Sequence, residues 1–217
     1  MPTRGRPWAA MEAIASVMKH AAQPLRVQII LCLDIDDESR VGMTGQGVGS
    51  SFGYRKSFSE RVNEAVKNAI DSPQIYTHVG WMADDVRYLT PNWDDIVRSH
   101  SELLVYGEDG IHNEGMATHP WVRIEVPRAL GYLIPPELSH YCPDLFLGDL
   151  AKAVGSIAYD PRLKIEHLHP DAGKGQDDQT YRDAKLTWDS DHATWNSIQP
   201  QIPELAKRVA EFMKGRT

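Results

Sequence analysis

Residues 26–33, Arg-Val-Gln-Ile-Ile-Leu-Cys-Leu, run directly into Asp34-Ile35-Asp36-Asp37-Glu38. A short β-branched, apolar run reads as a buried strand, and carboxylates at its end sit where open α/β sheets place ligands. Before it, Pro7 suits a first helical position, and Trp8, Met11, Ala15, Met18 and Ala22 recur at helical spacing. This predicts a helix over 7–22, ended by Pro24. After it comes a glycine-rich loop over 42–53. Ser57 and Glu60 then form a capping box for a helix over 58–70, whose apolar stripe is Phe58, Val62, Ala65, Val66 and Ala69. Residues 75–82 predict a second central strand, running into Ala83-Asp84-Asp85. Thr90 and Pro91 start a helix carrying Trp93, Ile96, Val97 and Leu104. Strand alternating with helix argues for a parallel sheet with helices on its faces.

The second half is less regular. Strands are expected at 103–106, 121–126, 156–159 and 163–168, with a helix over Pro143–Val154 and a last helix over 203–214 stopped by Gly215. Residues 170–180 are polar. No linker separates two self-sufficient cores, so one domain is expected across 217 residues.

Composition narrows the function classes. No run of 18 apolar residues predicts a membrane span, and the stretch from Met1 to Pro7 has no apolar segment behind its charges, unlike a signal peptide. Cys32 and Cys142 are too few and too dissimilar in setting for a disulfide framework, so a cytoplasmic location is expected. The net charge of −7 argues against a protein whose main task is gripping nucleic acid.

Two acidic clusters follow the two central strands, and each alone reads as an ordinary polar loop. Asp84 and Asp85, however, adjoin Val79-Gly80-Trp81-Met82, a segment expected to be buried. Adjacent buried carboxylates repel unless a donor or cation neutralises them. A hard divalent ion bridging to a diphosphate is one solution. In Glu166-His167-Leu168-His169, strand geometry turns His167 and His169 to one face, as candidate ligands for Mn²⁺. The tryptophans read mainly as packing residues, and His112, His119 and His140 as loop or surface residues. Arg55 and Lys56 precede a helix, where a diphosphate or plain solvent would meet them. The stretch Gly173-Lys174-Gly175-Gln176-Asp177-Asp178 lacks Walker spacing and reads as a polar, flexible loop.

The ordered set Pro2-Thr3-Arg4-Gly5-Arg6-Pro7, Leu33-Asp34-Ile35-Asp36-Asp37, Ala83-Asp84-Asp85-Val86 and Pro91-Asn92-Trp93-Asp94 resembles GT-A glycosyltransferases related to inverting family 2. His140-Tyr141-Cys142-Pro143-Asp144 and Ile165-Glu166-His167-Leu168-His169 also resemble small glycosyltransferase-like proteins common in bacteriophages. The resemblance spans about residues 2–185.

It implies a Rossmann-like, mixed but mostly parallel sheet flanked by helices. Residues 1–85 would form the nucleotide-sugar half, 86–185 the acceptor and metal half, and 186–217 a C-terminal helical segment. Thr3 and Arg4 would contact the nucleotide, Asp34 or Asp36 the base, and Asp84 the ribose or diphosphate. Asp85 would bind Mn²⁺ or Mg²⁺ with His169 or His167. Asp144, at a helix start whose dipole keeps it ionised, would be the catalytic base or a plain cap. Ala83 replaces the first acid of the Asp-x-Asp element. The chain begins at the carboxyl end of the strand that the resemblance places first. Either another segment fills that slot or relatives start earlier.

The implied donor is a nucleotide sugar, read as UDP-linked. The acceptor is a hydroxyl, with a modified DNA base, disfavoured by charge, or a virion protein as the alternatives. A nucleotidyltransferase and a non-catalytic nucleotide-binding protein are the competing readings.

Overall fold

Pro7 opens helix α1 (Pro7–His20), which carries no acid in its first turn and Lys19 and His20 in its last. In the computed structural model, which describes residues 1–40, 47–175 and 177–215, α1 buries Ala10, Ala13, Ile14 and Val17. Trp8 and Met11, placed in its apolar stripe by spacing, face outward instead. Trp8 is 83% exposed. The small alanines approach the core, and the large residues beside them do not.

Strand β1 (Ile29–Asp34) follows as expected, buried at five of its six positions. It pairs in parallel with β2 (Val48–Gly53), which lies in the predicted glycine-rich loop. Gly49, Ser50, Ser51 and an exposed Phe52 give β2 no apolar alternation, so its pairing is set by β1 rather than by its own pattern. Residues 41–46 of that loop lie outside the described residues. Helix α2 (Phe58–Asp71) starts at the predicted capping box, with Ser57 Oγ accepting from the Glu60 amide and the Glu60 carboxylate from the Ser57 amide. Such a cap contributes about 1 kcal/mol.

Three short elements come next: β3 (His78–Gly80), β4 (Val86–Tyr88) and α3 (Trp93–Ser99). The expected strand over 75–82 is thus three residues long. Leu104, expected on the helix, instead opens β5 (Leu104–Glu108). After β6 (Trp121–Arg123), the chain turns into helix α4 (Glu125–Leu130), ended by Gly131 at φ 87°, where a strand to 126 was expected. Helix α5 (Pro143–Val154) has the predicted bounds. The two strands expected at 156–159 and 163–168 are one, β7 (Ile157–His167). Helices α6 (Gln179–Lys185), α7 (Trp188–Ile198) and α8 (Ile202–Lys214) complete the chain.

The larger sheet has the order β3-β6-β5-β7-β4. Its β5–β7 pair is parallel, whereas β3–β6, β5–β6 and β4–β7 are antiparallel. The sheet is therefore mixed and not mostly parallel. β5 runs into its antiparallel neighbour β6 through the loop over 109–120, with no crossover α-helix between them.

Leu104 packs into a core with α2, α4, α5, α7 and α8. Its neighbour Val105 packs into a second core with α1, β1 and α3. Adjacent residues of one strand serve opposite faces, so the two cores share one sheet and form one α/β domain. Trp93, stacked on Trp121 at 4.7 Å, anchors the second core and donates from its indole to the Val17 carbonyl. Among the described residues, no helix is long and apolar enough to cross a membrane.

Candidate functional site

The N-terminal segment is the keystone of the site. Met1 and Thr3 run in parallel beside β1: the Cys32 amide donates to Met1, and the Thr3 amide to Cys32. The turn that follows, with Gly5 at φ 70°, is gripped by the acidic turn after β1. Arg4 pairs with Asp34 at 2.9 Å and forks onto both oxygens of Asp36 at 2.8 and 3.0 Å. The Gly5 amide donates to Asp37 at 2.9 Å. Asp34 also receives Arg61 at 2.9 Å. Of the residues proposed to meet a nucleotide, Arg4 and Asp34 are thus committed to each other in this state, while Asp36 is open to solvent.

The same turn reaches the second acidic cluster. Buried Thr3 donates from its hydroxyl to Asp84 at 2.8 Å, and Arg6 reaches Asp84 at 3.1 Å. Burial pushes the Asp84 carboxyl above its ordinary value, against the pull of Thr3 and Arg6.

Asp85 goes the other way. Burial opposes its charge, but His167 and the Tyr181 hydroxyl prevail and hold it far below the usual carboxylate range. His167 stands there because β4 and β7 pair with Val86 opposite His167, one residue from Asp85. The Leu168 amide closes the ladder onto the Asp85 carbonyl at 2.8 Å. The repulsion that the sequence alone assigns to the acidic pair is therefore neutralised by donors of the protein itself.

Of the two candidate imidazoles, His167 meets Asp85, with Nε2 at 3.5 Å from Oδ2. His169 lies two residues beyond the end of β7, beside the same site. Its Nδ1 accepts from the Asp171 amide at 3.2 Å, and its ring packs on Tyr181 and His167.

Three further residues join the site. His119, expected at the surface, packs its ring edge-on to His167 at 4.9 Å, and burial pushes its imidazole down to about 4. It sits in a loop held by Asp109, whose carboxylate accepts from the Ile111, His112 and Asn113 amides and the Thr118 hydroxyl. Tyr181, on α6, donates to Asp85 while Arg6 lies 4.7 Å over its ring. Asp178 caps α6 and pairs with Arg6 at 2.7 Å. The polar stretch expected to be flexible thus carries Asp178 onto the N-terminal turn. Spacing gave no signal for His119 or Tyr181, because each arrives from a distant loop or helix.

Asp144 lies at the start of α5, as expected, and accepts from the Leu145 amide at 3.0 Å. The helix dipole does not govern its charge. Burial pushes its carboxyl up, against the pull of the Leu145 amide. Lys174 pairs with Glu166 at 3.3 Å, and Arg55 with Asp183 at 2.7 Å.

The fit of a divalent cation turns on which atoms are still free. Asp85 Oδ1, His167 Nδ1 and His119 Nδ1 are buried without a hydrogen-bond partner among the described residues. Among the same residues, no three His, Cys, Asp or Glu side chains are arranged to hold an ion. One or two carboxylates with the remainder from substrate phosphates is an ordinary arrangement for Mg²⁺, and imidazole suits transition metals. Asp85 offers one free carboxylate oxygen, Oδ1, and His167 one free imidazole nitrogen, Nδ1. Comparison with protein-family models and with curated proteins gave no match.

Proposed function

We propose that this chain is a metal-dependent glycosyltransferase, moving a sugar from a nucleoside-diphosphate donor, UDP-linked, to a hydroxyl acceptor with inversion. The observation that supports the reading is the convergence of the N-terminal turn, the Asp84-Asp85 pair and His167 on one buried locus. Asp85 and His167 would hold Mn²⁺ or Mg²⁺, which when bound supplies positive charge to a diphosphate leaving group. Arg6, released from Asp178, is a cation within reach of the same diphosphate. Thr3 fixes the Asp84 carboxylate for a ribose hydroxyl. Asp144 takes the acceptor proton, and the raised affinity that burial gives its carboxyl for a proton suits a base.

A second reading is favoured by one observation: Tyr181 and His167 already satisfy one oxygen of Asp85, as in a nucleotide-binding protein without catalysis. Donor hydrolysis separates the two. The enzyme reading expects Mn²⁺-dependent hydrolysis of a UDP-sugar by the wild type and none by Asp85→Ala. A wild type that binds UDP with Mn²⁺ yet never hydrolyses a donor is the non-catalytic protein.

A further inference from the structure

Helix α6 reads Gln179-Thr180-Tyr181-Arg182-Asp183-Ala184-Lys185, with Ala184 as its one aliphatic residue. Seven residues are too few for a helix to persist unaided, and helices in folded proteins are held chiefly by an apolar face packed on a core. α6 has no such face. None of its residues is buried, none belongs to either core, and Leu186 just behind it is 83% exposed. Polar contacts hold it in place. Among the described residues, each ion pair or side-chain hydrogen bond that runs from 177–185 to the rest of the fold ends on Arg6, Arg55 or Asp85.

Those three groups are also the ones on which the donor reading draws, and α6 meets each with a substitute for a ligand atom. Asp178 takes the Arg6 guanidinium in a fork, Nε on one carboxylate oxygen at 2.7 Å and Nη2 on the other. Asp183 accepts from Arg55 Nη2 at 2.7 Å. Carboxylate and phosphate oxygens receive a guanidinium in the same way. The Tyr181 hydroxyl, the third contact, donates to Asp85 Oδ2, so its hydrogen stands at an oxygen that a cation would otherwise neutralise. The hold is light. The Arg55 and Asp183 side chains are 58% and 35% exposed, and exposed ion pairs of this kind contribute little.

From this coincidence of partners we infer that α6 is an internal competitor of the donor: Asp178 and Asp183 occupy the guanidinium groups that a diphosphate would use, Tyr181 occupies the carboxylate that its cation would use, and the bound donor displaces α6. The inference deepens the glycosyltransferase reading by assigning its site a regulatory element, and it rests on that reading for the identity of the ligand. A protein whose open state is only a fraction of the population binds with affinity reduced by that fraction. Weakening the α6 contacts therefore tightens ligand binding. A segment that folds down over a bound donor behaves oppositely, since loss of its contacts weakens binding.

Calorimetry with Mn²⁺ and either inorganic pyrophosphate or UDP tests the competition. The double variant Asp178→Asn, Asp183→Asn removes both negative charges, and asparagine keeps the capacity to cap α6. The variant is expected to bind both probes at least about fivefold more tightly than the wild type. In the wild type, saturation with Mn²⁺ and UDP is expected to speed amide exchange at Arg182 and Leu186, whose amides bond the Asp178 and Asp183 carbonyls, at least about tenfold. Equal or weaker binding of UDP by the variant overturns the inference and leaves the donor reading standing, as does unchanged or slower exchange on saturation. Tighter binding of pyrophosphate by the variant, with no binding of UDP to either protein, upholds the competition and rejects the nucleotide-sugar reading. No binding of either probe to either protein rejects both.

Discussion

His167 Nε2 lies 3.5 Å from Asp85 Oδ2 because the last pair of the β4–β7 ladder sets Val86 opposite His167. The contact joins residues 82 positions apart, and nothing in the local sequence of either requires it. It leaves Asp85 Oδ1 and His167 Nδ1 free for a ligand. Removing the carboxylate tests what the contact is for. Asp85→Asn keeps the shape of the side chain and is expected to abolish Mn²⁺-dependent stabilisation by UDP and to lower turnover about 10²–10³-fold. Thermal melts with and without chelator, alongside initial rates, check both.

Tyr181→Phe tests whether the hydroxyl on Asp85 competes with an incoming cation. The variant loses one hydrogen bond, costing about 1 kcal/mol of stability, and leaves Asp85 Oδ2 to His167 alone. Mn²⁺ affinity measured by calorimetry in the presence of UDP is expected to rise. An unchanged or weaker affinity would make Tyr181 a supporting group rather than a competitor.

The pH dependence of stability follows from two buried imidazoles. Burial pushes both His78 and His119 from 6.5 to about 4. Between these values the unfolded chain binds protons that the folded chain refuses. Stability is therefore fully present above pH 6.5 and declines as pH falls toward 4, at up to about 1.4 kcal/mol per pH unit for each group. Urea midpoints from pH 7 to pH 5 check the slope, and His119→Gln is expected to flatten it.

Asp191 carries a structural prediction away from the site. Its buried carboxylate accepts the Ser139, His140 and Tyr141 amides at 2.7, 2.8 and 2.9 Å, fixing the turn that leads into α5 and Asp144. Asp191→Ala strands three amides and is expected to cost about 2–4 kcal/mol. A urea midpoint reads that loss. Asp191→Asn retains acceptor capacity and is expected to lose less.

The elements that the sequence revealed are those whose own residues determine them. The capping box of Ser57 and Glu60 fixes the start of α2, Pro143 opens α5, and the β-branched run at 26–33 holds most of β1. What it concealed depends on partners. β2 is strand only because β1 lies beside it, and β7 is one strand because β5 and β4 pair successive parts of it. Within the candidate site, Thr3, Asp84, Asp85 and His167 were legible as residue types in order. His119, Tyr181 and Asp178 were not, since loop 109–119 and α6 bring them in across the fold. Asp144 was placed correctly on its helix, but its charge is set by burial, which the sequence around it does not display.

The most direct test of the account is a panel of nucleotide sugars incubated with the wild type and with Asp85→Asn in the presence of Mn²⁺, reading free nucleoside diphosphate. The account predicts metal-dependent release from a UDP-sugar by the wild type, stopped by chelator and reduced at least 10²-fold in the variant. Release that is equal in the two proteins, or no release from any donor by a wild type that is folded and metal-loaded, would contradict it.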